Sequence, residues 1–182
     1  MESMSEQPLV AEFVYYGVSP WESEVAYGYF NSKFKVTQEE IEPDDEDFVS
    51  YMRLTIPVRF SEEFFRWFEF RRWEKVKALF KEMKRRRGSG NALKIEVIFK
   101  GMPSIRFVID VNEKQWFGNA VEKMDFVLEL IPYQLAPEKL PEKAGQVTYR
   151  FCSESARWRI HSASAMGTEY LYVNDRWEKP AT

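Results

Sequence analysis

The stretch that decides the fold is Ser61–Arg87, SEEFFRWFEFRRWEKVKALFKEMKRRR. Ser61 is placed to cap a helix, because its hydroxyl can accept from a backbone N–H left free in the first turn. Glu62 and Glu63 follow where negative charge suits the helix dipole. At the far end Lys84, Arg85, Arg86 and Arg87 crowd the last turn, and Gly88 follows as the stop. At ~100° per residue, Phe65, Phe68, Trp73, Val76, Leu79, Phe80 and Met83 share one face, which predicts a core seam. Trp67 and Phe70 fall on the other side, among Arg66, Arg71, Lys77, Lys81, Lys84 and Arg85. A soluble helix normally keeps that side free of large aromatics. Either the two rings make a second buried contact, or they anchor a partner, as aromatics and Arg commonly do. A kink near Arg72, which falls on the apolar face, would alter these assignments.

Before this helix the chain reads as strands. Leu9–Val18 is rich in Val, Phe and Tyr; Ser19-Pro20 breaks it, and Glu24–Val36 offers a second extended segment. Glu39–Asp47, EEIEPDDED, is acidic at seven of nine positions and reads as a solvated loop, assigned to residues 37–48. Ser50–Phe60 is a third strand, which Pro57 ends or confines to an edge.

After the helix, Ala92–Lys100 alternates apolar and polar residues and turns through Gly101–Ser104 into Ile105–Val111, a hairpin. Asn112 and Gln115 form a capping-box pattern ahead of a second amphipathic helix, about 113–131, stopped by Pro132. Residues 134–145 are a Pro-containing connection. The end returns to strands: Gln146–Cys152, Ala156–Ala163, and a hairpin of Tyr170–Val173 with Arg176–Lys179 across Asn174-Asp175. Strands, helix, hairpin, helix and strands in that order predict an α+β fold, an antiparallel sheet with two helices on one face. Residues 1–8 read as a flexible tail and 9–182 as one domain.

Composition narrows the classes. The chain has 182 residues, enough for one sizeable core. No run is long and apolar enough for a bilayer, and the acidic start lacks the character of a signal peptide. Cys152 is the only cysteine, so no internal disulfide forms; the expected setting is the reducing cytoplasm. The net charge of −3 hides an asymmetry. Residues 1–63 carry fourteen acids against four bases, whereas residues 64–87 carry ten bases against three acids. A basic face beside an acidic one suits oppositely charged partners.

Catalytic and cofactor motifs are thin, and no cofactor is expected. His161, the only histidine, and Cys152 could pair across adjacent strands as base and nucleophile, but no orienting acid is evident. Asp44, Asp110 and Glu113 with Lys114 resemble a metal-dependent nuclease site only at poor spacing. Gly88-Ser89-Gly90 follows a helix and lacks the Lys-Ser/Thr of a phosphate loop.

The sequence therefore points to binding. The favoured reading is a non-catalytic inhibitor, adaptor or regulatory factor acting on another protein. Its surfaces are Trp67, Phe70, Arg71, Lys77, Lys81, Lys84 and Arg85 on the helix, and Asp44, Asp45, Glu46 and Asp47 on the acidic loop. The alternative is nucleic-acid binding by helix 64–87, with cations along a phosphate backbone and Trp67 and Phe70 stacking on bases. A metal-dependent nuclease or other hydrolase is the second alternative. No membrane partner is expected, and oligomeric state is not legible.

Overall fold

A computed structural model of the chain describes residues 9–45 and 47–180. The expected tail at 1–8 and Glu46 of the acidic surface lie outside the described residues. The fold is α+β. Nine strands form one sheet in the order β2-β1-β3-β4-β5-β6-β7-β8-β9. These are β1 Val10–Tyr16, β2 Lys35–Glu40, β3 Ser50–Ile56, β4 Leu93–Phe99, β5 Ser104–Ile109, β6 Ala144–Cys152, β7 Arg157–Ala165, β8 Thr168–Val173 and β9 Arg176–Glu178.

Most neighbouring strands are antiparallel, as expected, but β1–β2, β3–β4 and β5–β6 are parallel. A parallel pair needs a crossover, and each is bridged by helix. The first bridge is α1, Pro20–Asn31; the second is α2, Glu62–Phe68, with α3, Phe70–Arg87. The third is α4, Lys114–Lys123, a 3-10 stretch over Met124–Glu129, and α5, Ile131–Gln134. The third unit starts from a strand antiparallel to the one that starts the second, yet it steps the same way across the sheet. With its helices on the same face it winds with the opposite hand, a departure from the usual uniformity of such crossovers.

Alternation along the strands divides the two sheet faces. Met52, Leu54 and Ile56 of β3, Ile95 and Val97 of β4, and Phe107 of β5 point to the helices and are buried. Phe13 meets Phe30 of α1 edge-on at 5.3 Å, Phe99 meets Phe64 of α2 at 5.2 Å, and Trp158 Nε1 donates to the Ala120 carbonyl of α4 at 2.9 Å. One contiguous core results. All seven residues of the expected helix seam are buried in it.

Several local expectations are corrected. Residues 24–36 are not an extended segment, because α1 occupies most of them. Ser19 and Glu22 form a capping box there and Pro20 opens the helix, so helix-start chemistry overrides the strand preference of Val, Tyr and Phe. The helix at 61–87 is not continuous: Glu69, at φ 80° and ψ 121°, ends α2 and begins α3, three residues before the suspected kink. Ser61 does cap α2, accepting from the Phe64 N–H at 3.2 Å. The helix expected at 113–131 bends after Lys123, and Pro132 lies inside α5 instead of stopping the run. Its N-cap is Glu113 without a side-chain bond, so the Asn112–Gln115 box does not form. Residues 37–40 of the expected acidic loop belong to β2. Pro57 ends β3, which is an interior strand.

Candidate functional site

The predicted aromatic–basic helix face does not assemble as one surface. Trp67 and Phe70 are both part-exposed, at 41% and 48%, but they lie on either side of the Glu69 break and meet different neighbours. Trp67 packs edge-on to Phe34 at 5.2 Å with the Lys33 ammonium 5.3 Å from its ring. Phe70 stacks on Phe65 at 5.7 Å.

The cations are divided as well. Lys77 is buried, 2.7 Å from Glu74 and within 3.5 Å of Glu122 and Asp125. Burial pulls its ammonium down, but the bond to Glu74 and the charges of Asp125 and Glu122 outweigh this and raise it. Lys84 is also buried, donating to the Gly90 carbonyl at 3.0 Å over the Phe117 ring; burial lowers its pKa. Lys81 pairs with Glu122, and Arg85 donates to both oxygens of Glu82 at 2.6 and 2.8 Å. Arg71 is exposed. A helix interrupted at Glu69 and flanked by α4 therefore keeps few of its cations for a ligand.

At its C-terminal end Arg87 is committed inward. It donates to both carboxylate oxygens of the buried Glu22, at 2.6 and 2.7 Å, and to the Gly17 carbonyl at 2.9 Å. Part of the acidic loop is tied nearby: Tyr16 OH donates to the Asp45 carbonyl at 3.1 Å and Lys94 lies 3.6 Å from the Asp45 carboxylate. Asp44 and Asp47 are exposed.

The opposite end of the sheet holds a groove that sequence reasoning missed. Its volume is about 760 Å³, within the range of small-ligand and peptide sites. Phe60, from the loop into α2, and Ile105 of β5 form a buried floor. Phe70 at the start of α3, Met102 in the β4–β5 turn and Phe126 of the 3-10 stretch line it while 48%, 93% and 63% exposed. Ile131 of α5 and Leu135 just after it close the remaining side. The 3-10 path creates this wall. Met124 and Val127 of this stretch are held in the core, while Phe126 between them points out. The rim carries Glu62, Asp125 and Glu129 against Arg59.

Catalytic expectations find no assembly. Cys152 sits opposite Arg157, whereas His161 lies four residues further along β7, roughly 13 Å away at strand rise. Hydrogen bonding from Ser155 lowers the Cys152 thiol; burial and the Arg150 charge lower His161. Asp110 is bound to Arg150 at 3.0 Å. Among the described residues no three His, Cys, Asp or Glu side chains converge as metal ligands, so Asp44, Asp110 and Glu113 do not form the suspected nuclease site. No described helix is long and apolar enough to cross a membrane. Comparison with family models, curated proteins and solved structures found no match.

Proposed function

We propose that the protein is a non-catalytic binding protein, an inhibitor, adaptor or regulatory factor, that takes a segment of another protein into the groove. The observation that carries this reading is the grouping of Phe70, Met102 and Phe126, exposed together around a buried apolar floor. Contiguous apolar surface on a soluble protein commonly marks an interaction site. Aromatic side chains at the centre of such a site are the usual energetic anchors. Of the rim acids, Glu62 already pairs with Arg66 and Asp125 lies 3.5 Å from the buried Lys77, so the preference for a partner that is apolar at its centre and carries Lys or Arg at its flanks rests on Glu129 and on the exposed Glu62. Phe70 is thus kept from the helix face expected to bind, while Lys77 and Lys84 leave it because they are buried. The proposal includes a reducing, cytoplasmic setting, supported by the single cysteine.

The test is an NMR titration with a synthetic Leu–Lys amphipathic peptide of about fourteen residues, roughly four helical turns. Its Leu–Glu counterpart serves as the comparison. The Leu–Lys peptide is expected to shift amide resonances around Phe60, Phe70, Met102 and Phe126. The Leu–Glu peptide should bind far more weakly. Shifts confined to other surfaces, or equal binding of both peptides, would refute the reading.

A further inference from the structure

Five interior strands, β3 to β7, leave one side of the sheet without a described helix over it, and that side is strongly basic. The registers place Arg53 of β3, Glu96 of β4, Val108 of β5, Arg150 of β6 and Arg159 of β7 in one cross-strand row. Arg106 follows diagonally, opposite Ile98 and Thr148. Lys94, Lys100 and Arg157 extend the same side toward the strand ends. Seven cations therefore face three acids, Glu96, Asp110 and the Asp45 carboxylate beside Lys94, in a chain whose net charge is −3. All three acids are already paired. Arg106 donates to Glu96 at 2.6 Å and Tyr51 OH donates to it at 3.1 Å, while Arg150 holds Asp110. Arg53, Lys100, Arg157 and Arg159 make no ion pair among the described residues.

Arg150 stands directly opposite Arg159, and Asp110 offsets the charge of Arg150 alone, leaving Arg159 without an acid of its own among the described residues. Acidic margins border the strip. Glu12 and Glu39 outnumber Lys35 on the same side of β1 and β2, and Glu169 and Glu178 outnumber Arg176 on β8 and β9. A polyanion is thereby confined to run along the strands within a width of about 19 Å, four strand spacings. The strip has no exposed phenyl, phenol or indole ring among its described residues, and Tyr51 is buried. Unpaired bases would find no stacking surface there. A duplex presents more phosphate charge per unit length than a single strand and needs no such surface.

We propose that this open sheet face binds the phosphate backbone of duplex nucleic acid, with little dependence on sequence. The surface is separate from the groove and does not rest on it.

The experiment is fluorescence anisotropy with a labelled DNA duplex of about 20 base pairs of mixed sequence, over about 50 to 200 mM salt. Four free cations at a slope of about −0.9 each weaken binding about 150-fold across that range. Arg53→Gln with Arg159→Gln should flatten the logarithmic slope by about 1.8 and weaken low-salt binding at least about tenfold. Should that pair disturb folding, Lys100→Gln with Arg157→Gln, both on exposed side chains, carries the same reading. Arg71→Gln with Arg85→Gln on α3 should leave slope and affinity unchanged. No binding at about 50 mM salt, or a slope shallower than about −1, overturns the proposal. So does loss of binding in the α3 variant in place of the sheet variants. A single strand that binds as tightly as the duplex overturns the duplex assignment.

Discussion

Replacing Arg87 with Ala tests how the last turn of α3 is tied to the start of α1. Glu22 is 1% exposed, and both its oxygens accept from Arg87. Arg87 also donates to the carbonyls of Gly17 and Met83, at 2.9 Å each. Removing it leaves a carboxylate in the interior with only the Ser19 N–H at 2.9 Å. Breaking a buried pair from one side costs about 3–5 kcal/mol. In a chain of this size that lowers Tm by roughly 6–20 °C. Glu22→Gln should cost less, about 1–3 kcal/mol, because Arg87 is 15% exposed and keeps partial access to water. The double variant should fall short of the sum of the two, since each single change already removes the shared interaction. Urea titration by circular dichroism measures all three.

Acid provides a second readout. Burial pushes the Glu22 carboxyl up, but Arg87 and Ser19 outweigh it and hold it below the usual carboxylate range. A folded value below the unfolded one gives stability that is complete above about pH 4.3 and is lost as pH falls through the lowered value. Glu22→Gln should lack that part of the acid limb. An Arg87→Ala cost under about 1 kcal/mol, or Glu22→Gln the more damaging of the two, would falsify the assignment.

Two further changes probe the scaffold. Gly17 has φ +65°, and a Cβ there would lie 2.5 Å from the Val49 carbonyl oxygen, so Gly17→Ala should destabilise by about 1–3 kcal/mol or more in urea; an unchanged midpoint contradicts that packing. Lys77→Glu places a fourth acid among Glu74, Glu122 and Asp125, and a cost of at least about 3 kcal/mol is expected by the same titration. A stable Lys77→Glu protein would restore Lys77 to the surface.

The fold class was legible because alternation and helical periodicity survive in single segments. Leu93 to Phe99 alternates cleanly, and the seam from Phe65 to Met83 is buried at every named position. Helix α1 was also written in the sequence, as Ser19 and Glu22 around Pro20, but aromatic content masked those signals. Parallel pairing of β3 with β4 was not legible, because register between distant strands depends on the whole core. The site was harder still. Lys77 and Lys84 look like surface charges until α4 and Gly90 close on them, since burial of a long cation depends on acids and carbonyls far away in the chain. The groove joins Phe60, Phe70, Met102 and Phe126, and no periodicity relates those four. The basic strip is equally dispersed: each strand contributes one or two cations, invisible as a run.

The most direct measurement for the groove is the affinity of the Leu–Lys peptide for Phe126→Ala, set against the unaltered protein and against Arg159→Gln. Phe126 is exposed, so its removal should leave Tm near that of the parent. The account predicts a loss of about 2 kcal/mol, near 30-fold in Kd, for Phe126→Ala and none for Arg159→Gln. Affinity within about twofold of the parent in Phe126→Ala would contradict it.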